Sequence, residues 1–278
     1  MSGPTASSRQ VDFDNPPLNE VVFSVQFDGE VIDEVGVLSE FWPKIQGGFP
    51  RHEKHPALPP ARESFEVPPP APEVQFQLMQ GVPPQRYWFL SEDATLIVQV
   101  QADRLMFNWR QVVGDEEYPH YDRLAPQFDA VLETFLGCPA LNVDSASVDW
   151  VELQYVNPIE TQGEGQTHGQ LARILNVLVP DPPREALPPV EDTQLQQRFR
   201  IDNHDGAPRG RLYLTAVPAF RTSDAVPLYV LTLLARGRPD PGDLRGGVRA
   251  FLDIAHDLIV KGFREVTTEE MHKLWREK

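Results

Sequence analysis

The order of the predicted elements constrains this chain most, because the same order occurs twice along it. Each half reads as a strand, a helix, a proline-rich loop, three or four antiparallel strands and a second helix. Breaks as short as Glu92-Asp93 separate consecutive strands and predict hairpins. The predicted strands are 20–27, 73–79, 85–90, 95–101, 104–110, 148–156, 194–201, 211–217 and 228–235, and the predicted helices are 35–45, 118–136, 166–179, 244–263 and 268–275.

Two halves of this kind predict an α+β fold. We expect one curved antiparallel sheet with helices on one face, built edge to edge from two pseudo-repeats. The expected divisions are a disordered tail at 1–15, a first pseudo-repeat at 16–143, a second pseudo-repeat of the same domain at 144–265 and a C-terminal helical cap at 266–278. The order of elements resembles the topology of the TATA-binding-protein-like fold and, less closely, the helix-grip fold. A likeness of topology implies no function.

Composition limits the class of protein and of partner. The 278 residues carry 41 acidic and 25 basic side chains, a formal charge of −16. Nucleic-acid affinity comes largely from basic side chains that neutralise phosphates, so this balance disfavours a nucleic-acid partner. No apolar run approaches the length of a membrane span, and the N-terminus has no signal-like apolar stretch, so we expect a cytoplasmic protein without membrane contact.

Motifs of common enzymes are missing from the sequence. It contains no phosphate-binding loop, dinucleotide-binding fingerprint, HExxH pair or GxSxG elbow. The single cysteine, Cys138, rules out an internal disulfide framework and a cysteine-based zinc site. As a nucleophile it would need a nearby base, and a small buried hydrophobe is the favoured interpretation. The sequence therefore predicts no catalytic residue and no cofactor, and it favours a protein that is not an enzyme.

Two groups of side chains have metal-ligand character. Asp253, His256 and Asp257 share one helical face at three- and four-residue spacing. The apolar stripe of that helix lies on the other side, so we expect a solvated polar face rather than a metal site. His52 and His55 form a second possible pair, but they fall in the proline-rich loop 51–72 and no matching pair occurs elsewhere. No metal is predicted.

Alternation in the first-half strands places amides and arginines on the face opposite the apolar residues. Uncharged amides, where solubility alone would favour charges, suit a polar ligand, an extended peptide or an acidic partner. A plain solvated face, or one half covered by a loop, is the open alternative. The predicted binding face consists of Ser24, Gln26, Gln75, Gln77, Gln99, Gln101, Arg104, Asn108 and Arg110.

Several segments carry a family resemblance that covers residues 16–275. They include QVQADRLMFNWR, YPHYDRL, QYVNPI and HDLIVKGFREVTTEEMHKLW. The chain resembles an uncharacterised, sporadically distributed bacterial family of similar length. Because that family has no established activity, the resemblance supplies no catalytic residues. Its patchy distribution implies an accessory or defence-type role.

Three functions follow as hypotheses. The first is a non-enzymatic interaction protein that binds a protein partner through the open sheet face or the proline-rich loops; the resemblance implies a defence, immunity or toxin-neutralising setting. The alternative is a small-ligand-binding domain of helix-grip type, with an apolar cavity between sheet and helix. The second alternative is a metal-dependent enzyme that uses Asp253, His256 and Asp257. The oligomeric state stays open.

Overall fold

One antiparallel sheet organises the molecule, as the sequence predicts. The computed structural model describes residues 13–30, 32–66, 84–139, 148–161, 168–177 and 186–278. Within these ranges nine strands pair in the order β2-β3-β4-β5-β1-β6-β9-β8-β7, and every neighbouring pair is antiparallel. The strands are β1 (Glu20–Phe27), β2 (Arg51–Pro56), β3 (Gln85–Leu90), β4 (Leu96–Gln101), β5 (Arg104–Arg110), β6 (Val148–Glu160), β7 (Leu195–Asp202), β8 (Pro208–Phe220) and β9 (Pro227–Gly237).

The helices cover the face of the sheet that carries the alternating apolar side chains. Phe23 of β1 stacks on Phe128 with ring centroids 5.4 Å apart, and both side chains are fully buried. No helix in the described ranges is long and apolar enough to cross a membrane. The helices are α1 (Glu34–Gly36), a π-helical turn (Val37–Phe41), α2 (Trp42–Ile45), α3 (Tyr121–Leu136), a 3-10 turn (His168–Gln170), α4 (Leu171–Ile174), α5 (Leu244–Val266) and α6 (Glu269–Trp275).

The central pair of strands comes from the two halves of the chain. β1 lies beside β6, and Phe23 is directly opposite Leu153. From this centre the first half continues outward as β5, β4, β3 and β2, and the second half as β9, β8 and β7. The continuous antiparallel sheet is thus confirmed. The duplication of the two halves stays a prediction.

Strand β2 has no place of its own in the sequence-based prediction, which treats residues 51–72 as a long surface loop that leaves room for one short extended piece. Its side chains are exposed or half-buried, and it is an edge strand that pairs only with β3. An edge strand of charged residues that ends at Pro56 has no periodic apolar signal to detect. The predicted strand 73–79 lies outside the described residues.

Pro43 is accommodated by a widened turn in the first helical segment. The Trp42 N–H reaches the carbonyl of Val37, five residues earlier, so the helix is π-helical just before the proline. Pro43 then lies in the first turn of α2, and the wider turn before it accommodates a residue that cannot donate an N–H.

Residues 13–15, the last three of the predicted disordered tail, belong to the described structure. Phe13 is buried and packs edge-on against Trp275 at 5.9 Å, and it forms an isolated bridge with Glu277. The expected disordered tail therefore does not extend to residue 15. Phe13 stands among polar residues, so the sequence gives no local sign that it is buried. The residues that it contacts lie at the other end of the sequence. The predicted C-terminal cap is present as α6.

Helix α5 approaches β9 closely because β9 ends in a glycine. A Cβ at Gly237 would lie 2.3 Å from the ring of Phe251, which is fully buried. The same glycine stands opposite Val151 of β6. This close contact fixes the height of α5 above the centre of the sheet, which matters because α5 carries Asp253, His256 and Asp257.

We expect Gly237→Ala to lower the free energy of unfolding by about 1–3 kcal/mol, because a methyl group would overpack this contact. Chemical denaturation measures the change. Phe251→Leu in the same chain should recover part of the loss, and Gly47→Ala, where a Cβ meets nothing within 4 Å, is the neutral control. Equal losses for the two glycine variants would show that the contact does not set the helix position.

Candidate functional site

The predicted binding face lies on the side of the sheet away from the helices, but it is not open. Arg110 is half-buried, and Gln75 and Gln77 lie outside the described residues. The expectation of an exposed face is therefore wrong for the other six residues, whose exposed fractions are 5% or less. These six are Ser24, Gln26, Gln99, Gln101, Arg104 and Asn108.

A segment of the chain itself covers this face, which matches the loop-covered alternative. Residues 57–66, here called the strap, follow β2 and belong to no helix or strand. Gln26 accepts from the Ala61 N–H at 2.7 Å and donates to the Ala61 carbonyl at 3.0 Å. Gln101 makes the same two-point pairing with Leu58, at 2.9 and 3.0 Å. Each glutamine thus behaves as a peptide group toward the strap backbone.

The two glutamines lie in one row across three strands. Gln101 of β4 is opposite Arg104 of β5, which is opposite Gln26 of β1. Arg104 donates to the carbonyl of Pro59, which lies between the two paired strap residues. The strap therefore crosses the strands rather than running along one of them.

A buried carboxylate ends this crossing. The side chain of Glu63 is 2% exposed and accepts from Arg211 and Tyr213 of β8 and from Arg236 of β9. Arg236 also pairs with Glu152 of β6. Burial opposes the charge on Arg236, but the two carboxylates outweigh it and raise its pKa. We call these five side chains the charged latch.

The histidines of the proline-rich segment do not meet. They are three positions apart in β2, so their side chains leave opposite faces of the strand. His52 packs on Trp42 at 4.7 Å, whereas His55 stacks on Trp88 at 3.9 Å. The predicted loop thus begins with a short strand at residues 51–56, and the strand geometry separates the two possible ligands.

Cys138 is a buried side chain, as its favoured interpretation expects. It is 1% exposed, and its Sγ lies 3.4 Å from Lys44 Nζ and 3.3 Å from the Thr134 carbonyl.

The acidic residues of α5 are occupied by neighbouring side chains. Asp253 accepts from Tyr121 at 2.8 Å and from Arg249 at 2.9 Å, and Asp257 pairs with Lys261 at 2.7 Å. Across the described residues no three histidine, cysteine or acidic side chains converge as a metal site would require. Asp253 and Asp257 are exposed, as predicted.

His256 is different from its acidic neighbours, because it is half-buried and belongs to a chain of hydrogen bonds. Its Nδ1 lies 2.9 Å from the hydroxyl of Tyr155, which lies 2.9 Å from the hydroxyl of Tyr118. The ring of Tyr121 stacks on the imidazole at 4.0 Å, nearly parallel at 5°. Tyr155 belongs to β6, Tyr118 to the segment before α3, and His256 to α5.

The hydrogen-bonded side chains of Tyr118, Tyr155 and His256 line a cavity of about 910 Å³ on the helix side of the sheet. The cavity lies between α5, the start of α3, β6 and the segment 13–18. Nε2 of His256 has no hydrogen-bond partner in the described residues and is not enclosed. Asn157 also lines the cavity and donates to the Leu231 carbonyl at 3.1 Å. The lining thus combines these polar groups with apolar side chains such as Leu18, Val260 and Phe263, whereas a helix-grip domain is expected to have an apolar cavity.

The cavity wall contains a strained residue. His120 precedes α3 with φ 64° and ψ 154°, a region that is almost confined to glycine. Its ring is 5.1 Å from that of Tyr118. Such conformations cost about 1–3 kcal/mol and concentrate at functional sites.

The basic side chains that line the cavity are all engaged in ion pairs. Arg249 pairs with Asp129 at 2.7 Å as well as with Asp253, Lys261 pairs with Asp257, and Lys278 pairs with Asp14 at 3.1 Å. Each lining lysine or arginine therefore already has a carboxylate partner.

Burial keeps the side chains of His256, Tyr155 and Tyr118 uncharged. It lowers the pKa of His256 below its usual 6.5, although the charges of Asp257, Asp122 and Asp253 act to raise it. Burial likewise raises the pKa of Tyr155 and of Tyr118 well above the usual 10. At neutral pH the imidazole and both hydroxyls are therefore neutral.

A neutral chain of this kind can be polarised in two directions. In one, Tyr118 donates to Tyr155, which donates to Nδ1, so Nε2 carries the proton and can donate to a ligand. In the other, Nδ1 donates to Tyr155, which donates to Tyr118, so Nε2 offers a lone pair. The arrangement can thus present either a donor or an acceptor at Nε2.

Sequence reasoning missed this tyrosine–histidine site. Tyr155 lies on the same side of its strand as the apolar residues Leu153 and Ile159, and His256 belongs to the helix face that the sequence predicts to be solvated. The one available signal was an unusual number of hydroxyl and imidazole groups in YPHYDRL. Nothing in the sequence indicates that this segment meets α5.

Comparisons with known proteins add no name to this site. No protein-family model matches the chain, and searches of curated proteins and of solved structures return no match. The resemblance to a bacterial family and to a known topology therefore stays a prediction.

For the charged latch, we expect Glu63→Gln to lower the free energy of unfolding by about 3 kcal/mol, because it leaves buried arginine charge without its partner. Thermal and chemical denaturation measure the loss. Glu66→Gln is the matched control, because Glu66 is exposed in the same strap and should change stability by less than about 0.5 kcal/mol. Indistinguishable variants would show that the latch does not hold the strap.

For the cavity, we expect His256 to titrate below 6.5 when followed by NMR. Protonation of a group whose pKa is lowered by folding favours unfolding, so its contribution to stability is present above 6.5 and is lost as pH falls. Asp257→Asn should lower this pKa further, since Asp257 acts to raise it. Glu265→Gln, exposed on the same helix, should leave it unchanged. A higher His256 pKa in the Asp257→Asn variant would contradict this account.

Proposed function

We propose that this protein binds a small, uncharged polar ligand in the cavity beside His256. The observation that carries the proposal is the hydrogen-bond chain from Tyr118 through Tyr155 to His256, which leaves Nε2 accessible at the cavity. The volume of about 910 Å³ lies within the range of about 300–1,000 Å³ that suits organic ligands. This is the small-ligand hypothesis, with a cavity lined by both polar and apolar side chains in place of a purely apolar one.

The electrostatics disfavour an anionic ligand. The lining cations are already neutralised by Asp14, Asp129, Asp253 and Asp257, so an anion would have to break existing ion pairs. The neutral His256 ring and tyrosine hydroxyls instead favour groups that both donate and accept, such as hydroxyls and amides. The strained backbone at His120 supports a binding role for the same wall.

A screen of neutral hydroxyl- and amide-bearing fragments by NMR tests this function. We expect bound fragments to shift the His256 resonances. Tyr155→Phe should weaken fragment binding at least tenfold, because it removes the middle of the hydrogen-bond chain. Tyr87→Phe is the matched control, because the buried Tyr87 hydroxyl has no partner in the described residues and its loss breaks no bond. Fragments that leave His256 unshifted, or that bind Tyr155→Phe equally well, would contradict the proposal.

A second candidate is the non-enzymatic interaction protein, in the defence, immunity or toxin-neutralising setting that the family resemblance implies. The observation in its favour is that the predicted binding face already holds a segment of backbone, the strap. Gln26 and Gln101 each pair with both backbone groups of one strap residue. A pull-down with the purified protein from its host, compared between wild type and Gln26→Ala/Gln101→Ala, tests it. A partner lost in the double variant supports this function.

A further inference from the structure

We propose that the face under the strap is a binding site for a proline-rich extended peptide with a carboxylate side chain, and that the strap occupies it as an internal competitor. The inference deepens the second candidate function and is independent of the cavity, which lies on the other side of the sheet. It is based on the contacts that hold the strap and on the buried polar atoms that the strap leaves without hydrogen-bond partners.

The face recognises backbone rather than a particular side chain at three strap residues. Leu58 and Ala61 each offer an N–H and a carbonyl to one glutamine amide, and Arg104 takes the carbonyl of Pro59. A glutamine that pairs in this two-point manner takes the place of the neighbouring strand in a sheet. Any extended peptide presents the same groups.

The spacing of these contacts suits a polyproline II chain. Such a helix has about 3 residues per turn and rises about 3.1 Å per residue, so residues three apart lie on the same side about 9 Å from each other. Gln101 and Gln26 are two strands apart, also about 9–10 Å. Pro59-Pro60 favours this conformation between Leu58 and Ala61.

A charge requirement comes from the latch. Glu63 lies two residues beyond Ala61, and its carboxylate meets Arg211, Arg236 and Tyr213. The guanidinium of Arg211 also covers the ring of Phe65 at 4.4 Å. A competing peptide therefore needs an acidic side chain five positions after the residue that pairs with Gln101.

The strap leaves polar atoms on this face without partners. In the described part of the chain, Ser24 Oγ, Gln99 Oε1 and Arg104 Nε are buried and make no hydrogen bond. Buried polar groups without partners are costly, so a ligand that reaches them gains over the strap. The strap itself joins the rest of the described structure by one backbone–backbone bond, from Ala57 N–H to the Pro84 carbonyl. These observations indicate an occupant that another chain can displace.

The experiment uses a fluorescent peptide with the strap sequence ALPPARESFE, whose binding is followed by anisotropy. The wild-type protein should bind it weakly, because the tethered strap competes at high effective concentration. Glu63→Gln weakens the strap but keeps the arginines, so it should bind the peptide at least tenfold more tightly. A peptide with glutamine in place of the first glutamate should lose that gain.

A matched variant separates release of the strap from recognition. Gln26→Ala/Gln101→Ala also loosens the strap, but it removes the groups that hold a peptide, and it should show no gain. Equal affinity of wild type and Glu63→Gln, or equal gain in the double alanine variant, would overturn the proposal. So would a Glu63→Gln protein that ignores the peptide and dimerises, because the occupant would then be the strap of a second copy.

A measurement on the wild type covers the case in which Glu63→Gln does not fold. The amide protons of Leu58 and Ala61 are bound to glutamine side chains, so they should exchange with solvent faster when peptide in excess displaces the strap. Unchanged exchange at high peptide concentration would overturn the inference. Fragment binding at His256 is unaffected by either result, and a partner that binds away from this face would leave the second candidate function intact.

Discussion

The pairing of β1 with β6 is the contact on which the rest of the molecule depends, because it joins the two halves into one sheet. Alternation in these strands sends side chains to both faces. Phe23 of β1 and Tyr155 of β6 point toward the helices, where Tyr155 reaches the cavity, while Gln26 and Glu152 point toward the strap. Strand β6 therefore contributes to both candidate sites, one on each face, and β1 contributes Gln26 to the site under the strap.

The alternation of apolar and polar residues was enough to predict most of the sheet. The strands β3 and β5 begin and end where the sequence places them, and β7, β8, β9 and α5 differ only at their ends. The polar face was identified correctly, but its burial was not. The contacts that cover it join residues 35 or more positions apart, as between Gln26 and Ala61, and alternation carries no information on such contacts. Amides in a strand are equally consistent with water and with a covering segment.

The cavity was beyond prediction for a related reason. Helical periodicity places His256 on the side of α5 away from the apolar stripe, and that is correct for Asp253 and Asp257. It cannot show that Tyr121 would stack on the imidazole or that Tyr155 would reach its Nδ1, since these residues lie more than a hundred positions away. The burial that lowers the pKa of His256 arises from this packing and not from the helix itself.

The two faces also differ in how they use charge, and this difference has a physical reason. On the helix side the ion pairs stand at the rim, where exposed pairs contribute little, and the interior groups are neutral. On the strap side Glu63 and Glu152 meet two arginines with little contact to water. Burying such charges costs about as much as their attraction returns, so the latch adds less to net stability than to the choice of one arrangement. A strap shifted by one residue would leave Arg211 without its carboxylate partner, Arg236 with Glu152 alone, and both glutamines out of register. The charged cluster therefore selects the position of a segment that is held mainly through its backbone.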